Sequence, residues 1–216
     1  MKIESFPRKL FLFRNNLCMF AQTQNELHNM KHMSILAVSL LALVACTPEK
    51  KQEADYSQYV NPMIGTDFTG NTYPGAQVPF GMVQLSPDNG LPGWDRISGY
   101  FYPDTTIAGF SHTHLSGTGA GDLYDISFMP VTRPYKEAPA PLGIYSTFSH
   151  NDEAASAGYY RVLLKDYNIN VELTATERCG IQRYTFPEAE ASVFLNLKKA
   201  MNWDFTLDSK IEVVDS

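Results

Sequence analysis

Gly158 to Lys165 reads GYYRVLLK, and Ile169 to Leu173, a few residues on, reads INVEL. Part of each run alternates polar with apolar side chains, the period of a strand with one face buried and one wet. Ile169–Glu177 followed by Cys179–Phe186 then reads as a hairpin, with Glu177 and Arg178 near its turn. Further candidate strands lie at Ile107–Ser111, Tyr124–Met129 and Ala191–Asn196, and Lys210–Val214 (KIEVV) reads as one more. Upstream, VNPMIGT, NTYPGAQVPFGMVQLSPD and GLPGWDRISGY are short apolar runs cut by Gly and Pro every few residues. Such punctuation suits strands and tight turns and is hostile to helices. No stretch keeps a helical period, and Ala154–Ala157 is too short to nucleate a helix alone. The expected fold is all-β, an antiparallel sandwich.

Composition agrees with this. The 216 residues are 44% hydrophobic and only 19% charged, enough apolar matter for one sizeable core. Aromatics reach 12%, which favours strands and stacking surfaces. The net charge of −6 argues against a nucleic-acid partner, which wants a basic face. The three cysteines, Cys18, Cys46 and Cys179, form no C-x-x-C pair, so neither a disulfide framework nor a zinc site is signalled. Cys179, in strand-like text, reads as a buried thiol.

The N-terminal segment reads as a targeting signal. Lys31 and His32 precede an apolar run, Ile35–Ala45, which exits through Leu43-Val44-Ala45-Cys46. A basic flank, a short apolar stretch and a small-residue exit make a secretory signal. The exit resembles a bacterial lipobox, which implies lipidation of Cys46 and anchoring to a membrane leaflet. Met30 or Met33 is the natural initiator of such a signal. Residues 1–29 are therefore set apart as an upstream extension, 30–46 as the signal and 47–58 as a flexible tether. Subtracting the five Lys/Arg and two Asp/Glu of residues 1–46 leaves 12 and 21, a net −9 for the remainder. The expected location is the periplasm or outer membrane, by way of the lipid anchor.

Gly109 to Asp122 (GFSHTHLSGTGAGD) has no helical or alternating period and reads as an ordered loop leaving a strand. Its glycines allow close backbone approach to a ligand, and its His and hydroxyl groups supply donors and acceptors. No Gly-Lys-Ser/Thr ending follows, which excludes a P-loop. Ser111 and Ser116 lack the G-x-S-x-G frame of a nucleophile elbow. His112 and His114 alternate, so on an extended segment they point the same way. They could hold a metal with Asp122, brace the loop by hydrogen bonds, or touch a ligand directly. Trp94 sits on a connection between two glycines, where it is either core or an exposed stacking face, with Asp95 beside it.

Three phrases carry a resemblance. Val60–Thr66, Tyr73–Asp88 and Gly109–Asp122 occur in that order and resemble the N-terminal domain of glycoside hydrolase family 92, the calcium-dependent exo-acting α-mannosidases, chiefly α-1,2-mannosidases. The resemblance runs from about Tyr59 to the end, so residues 59–216 are the expected sandwich domain, incomplete at its C-terminus. It implies a larger (α/α)6 domain that pairs with the sandwich and carries the acid Glu, the base Asp and the calcium ligands. Mannose-containing glycans are the implied substrates. Trp94, Asp95, His112 and His114 are then the expected substrate-binding residues, forming one wall of the pocket. Trp94-Asp95 matches the family's aromatic-acidic pair, but the Trp and Cys that often follow are Arg96 and Ile97 here. Glycoside hydrolysis needs two carboxyl groups. Asp67, Asp88, Asp95, Asp104 and Asp122 fall in loop-like text, where each could simply bond its own turn. No catalytic couple is evident among them, so these residues alone are expected not to hydrolyse. The alternatives are a non-catalytic carbohydrate-binding lipoprotein and an inactive gene fragment.

Overall fold

The computed structural model describes residues 54–117, 119, 121, 123–197 and 206–214. The signal, Cys46, most of the tether, Thr118 and Asp122 lie outside the described residues. Among the described residues thirteen strands run in chain order: β1 (Ala76–Gln77), β2 (Gln84–Asp88), β3 (Thr106–Ile107), β4 (Gly109–Ser111), β5 (Ser127–Thr132), β6 (Glu137–Ala138), β7 (Gly143–Ile144), β8 (Ser146–Thr147), β9 (Glu153–Ser156), β10 (Tyr159–Leu164), β11 (Ile169–Ala175), β12 (Gly180–Thr185) and β13 (Ala191–Asn196). Among the described residues helical structure is confined to 3-10 turns, and no helix is long and apolar enough to cross a membrane.

Every pairing among the described residues is antiparallel. One sheet has the order β1-β2-β4-β5-β13 and the other β12-β11-β10-β9. Alternation explains how they stack. On β10, Tyr160, Val162 and Leu164 are buried, and on β11 Ile169, Val171 and Leu173 are. They pack in one core with Leu85, Phe110, Met129 and Val131 of the first sheet. Burial of each such aliphatic side chain contributes roughly 1.5–3 kcal/mol. The expected sandwich is therefore the observed fold, and the hairpin from Ile169 is β11–β12, with Thr174 opposite Ile181.

Several local expectations are corrected. Ile107–Ser111 is two strands: β3 pairs with β8, while β4 lies between β2 and β5. The break is forced at Ala108, whose N–H donates to Asp88 O at 2.8 Å. The segment expected from Tyr124 becomes a strand only at Ser127, because Leu123, Tyr124 and Ile126 all have positive φ. Lys210–Val214 forms no strand and is exposed along its length. Cys179 is exposed, since it falls in the turn of the β11–β12 hairpin.

Asp166, in the turn after β10, ties this sheet to β8. It accepts from Thr147 N (2.7 Å), Thr147 Oγ1 (3.0 Å) and Lys136 Nζ (2.6 Å). Burial pushes its pKa up, but these donors outweigh that and hold it below 3.8. A depressed carboxylate contributes stability above its unfolded pKa and loses it as pH falls through the folded value. Asp166→Asn should therefore destabilise the domain at neutral pH but narrow its difference from the parent below about pH 4. Urea midpoints measured across the acid range check this; a constant difference would contradict it.

Candidate functional site

Two of the three sequence phrases, Tyr73–Asp88 and Gly109–Asp122, meet at a buried node. Register places Asp88 opposite Gly109 and Ser86 opposite Ser111, so Asp88 and Ser111 are diagonal neighbours across β2 and β4. Beyond Ser111 the chain leaves the extended form: His112 N–H donates to Asp125 O, and Tyr124 N–H to Thr113 O. That bend swings His114 inward, where it is 2% exposed. Its Nε2 lies 2.9 Å from Asp88 Oδ1 and 3.1 Å from Ser111 Oγ, and its Nδ1 lies 2.7 Å from Gln84 O. Tyr73 and Tyr124 flank the ring, with centroids 5.1 and 5.8 Å away. Burial pushes the Tyr73 phenol up to about 12. Gly99 closes the node with φ +88°; a Cβ there would come within 2.8 Å of Asp88 Oδ1. Only glycine combines that backbone with that approach.

Ser, His and Asp meet here, yet the arrangement is not a nucleophile site. All three are buried, and Ser111 Oγ donates to Asp88 Oδ1 at 3.1 Å, so no open space adjoins the hydroxyl. The node braces the loop. Tyr124 O–H donates to Ile97 O and draws the 93–99 segment in as well.

Trp94 and Asp95 stand on a 3-10 turn, Trp94–Arg96. Trp94 is 56% exposed, which decides between core and surface in favour of surface. The turn is held rigidly. Arg96 N–H donates to Gly93 O at 3.0 Å, and Arg96 Nε and Nη2 form a two-pronged pair with Asp104 at 2.6 and 2.5 Å. The guanidinium also sits 4.6 Å above the Phe101 ring. The Asp104 hydrogen bond, with its charge and that of Asp95, raises the Arg96 pKa against the opposing effect of burial. Arg96 and Ile97, where the chain departs from the common family text, thus lock the turn: Ile97 is fully buried and Arg96 is paired.

His112 lies elsewhere. Its Nδ1 is 2.9 Å from Ile126 O and its ring packs edge-on to Phe128 at 5.7 Å. It lines a hollow of about 340 Å³ with Phe128, Gly180, Gln182, Tyr184 and Val193, which includes neither Trp94 nor Asp95. The expectation of a shared His112–His114 face fails because the chain is not extended between them. The carboxylates are engaged separately: Asp88 with His114, Asp104 with Arg96, and Asp67 with the N–H of Phe68. Among the described residues no three His, Cys, Asp or Glu side chains converge to hold a metal.

Residues 59–216 match the model of the Glycosyl hydrolase family 92 N-terminal domain. The GH92 alpha-mannosidase BT3965 of Bacteroides thetaiotaomicron, solved in complex with mannoimidazole, is 48% identical with a TM-score of 0.58, over 62% of this chain and 18% of that one. The GH92 inverting mannosidase BT2199 of the same organism is 31% identical with a TM-score of 0.54, over 66% of this chain and 20% of that one. An uncharacterized secreted glycosidase of Arthroderma benhamiae is 26% identical over 75% of this chain and 21% of its own length. The chain thus spans about a fifth of the length of these relatives.

Proposed function

The chain belongs to glycoside hydrolase family 92, and from that premise we propose that its sandwich forms one wall of a pocket from which terminal α-linked mannose, chiefly α-1,2-linked, is removed from glycans. The observation that carries this is Trp94, an exposed indole on a turn fixed by the Arg96–Asp104 pair. A fixed aromatic face stacks on a sugar ring at little entropic cost. Asp95, next on the turn, offers a carboxylate to sugar hydroxyls. His112 contributes from its own hollow. His114 acts through the loop it braces, as a positioning residue.

The proposed division of labour leaves proton transfer to a partner (α/α)6 domain, because hydrolysis needs an acid and a base carboxyl roughly 6.5–9.5 Å apart in an inverting enzyme. Calcium belongs with that domain in this reading, as the resemblance to the family implies. Export of the chain and lipid anchoring through Cys46 complete the proposal, supported by the lipobox-like exit and by the secreted relative.

Titration with α-1,2-mannobiose, followed through the Trp94 indole N–H resonance, tests the wall. The signal is assigned by its absence in Trp94→Phe. A saturable shift is expected, and an immobile resonance would contradict the proposal.

A further inference from the structure

The segment between β8 and β9 builds a buried anchor that no local motif signals. Glu153, whose side chain is 1% exposed, accepts from Tyr160 O–H at 2.5 Å and from Tyr100 O–H at 3.0 Å, and its Oε2 lies 2.7 Å from His150 Nδ1. Burial first, then the Glu153 charge, holds both phenols well above their ordinary pKa of 10, so each remains a donor. The other ring nitrogen of His150 is 2.7 Å from Tyr102 O, and the Tyr102 ring stacks on the imidazole at 4.0 Å and 10°. Phe148 closes the far side edge-on at 5.1 Å. Tyr102 is therefore held by His150, which the buried Glu153 carboxylate fixes in turn, yet it remains 39% exposed.

This fixed ring borders a hollow of about 540 Å³, within the range of small-molecule sites. Asn61, Asp67, Ala154 and Ala155 line it beside Tyr102. Asn61 spends its Oδ1 on Met63 N–H, and Asp67 its Oδ1 on Phe68 N–H. Asn61 Nδ2, Asp67 Oδ2 and the Tyr102 hydroxyl make no further hydrogen bond among the described residues. None of the lining residues is Trp94, Asp95, His112 or His114.

We propose that this hollow is a second carbohydrate-binding site, taking one neutral pyranose unit against Tyr102. The chemistry selects that class. A carboxylate accepts from neighbouring hydroxyls of one sugar, an amide N–H₂ donates to a third, and the tyrosine face meets the apolar C–H face of the ring. An anionic ligand would meet Asp67 and, behind it, Glu153. This assignment stands on the hollow alone and not on the Trp94 reading.

The test is a titration of the whole 216-residue chain with methyl α-D-mannopyranoside, observed at backbone amides. Amides of Asn61, Tyr102 and Ala154 should shift saturably, and Asp67→Asn, which keeps the shape, should weaken that response about tenfold while leaving any Trp94 response in place. Tyr102→Ala should abolish it, with Asp67→Asn and Asn61→Ala deciding if that variant fails to fold. Shifts confined to Trp94 would overturn the second site and leave the proposed wall standing; shifts confined to the hollow would do the reverse. No response, or a stronger response of the same amides to inorganic phosphate, would also overturn it.

Discussion

Asp88→Ala should lower the folding free energy by about 3–5 kcal/mol, the range for a buried pair broken from one side. Its carboxylate is fully buried and engages both His114 Nε2 and Ser111 Oγ. Removal leaves these two polar groups with only each other at that end of the node and opens a space beside Gly99, which was glycine to admit the carboxylate. Because Asp88, His114 and Ser111 come from two of the family phrases and Gly99 lies between them in sequence, the loss should be cooperative. His114→Ala on the Asp88→Ala background should cost far less than on the parent. Urea denaturation of the four proteins of the cycle measures this, and additive losses would show that the two residues are not a unit.

Glu153→Ala should be comparably severe, again about 3–5 kcal/mol. Three donors converge on that one carboxylate from β10, from the 93–104 segment and from the turn before β9. Single removals, Tyr100→Phe or Tyr160→Phe, should cost only about 1 kcal/mol each, since the carboxylate keeps its other donors. A Glu153→Ala loss no larger than those of the tyrosine variants would contradict a shared anchor.

The sheets were legible where burial is one-sided. GYYRVLLK and INVEL carry the alternation that the core imposes, and β10 and β11 follow them closely. Short strands were legible as a class but not in their partners: Ile107 and Phe110 belong to different sheets, and the Asp88 carbonyl of the neighbouring β2 captures Ala108 N–H between them. KIEVV alternates like a strand, yet pairing is a property of a neighbour that local text does not contain.

The candidate site divides in the same way. For Trp94 the Gly-rich connection left core and exposed face both open, and the structure places the indole outside. His112 and His114 misled because their spacing implies a shared face only while the chain stays extended, and it bends after Ser111. His150 and Glu153 were passed over entirely. Their signal is a polar pair three residues apart, which reads as a turn, while the partner that gives it meaning, Tyr100, is distant in sequence. Arg96, a departure from the family text, proved to be the pin of the turn.

A single proton NMR time course on α-1,2-mannobiose with the purified chain tests the division between binding and catalysis most directly. Saturation should transfer from protein to sugar while the anomeric signals of free mannose stay absent. Accumulation of free mannose in step with protein concentration would contradict it, placing a working acid and base within these 216 residues.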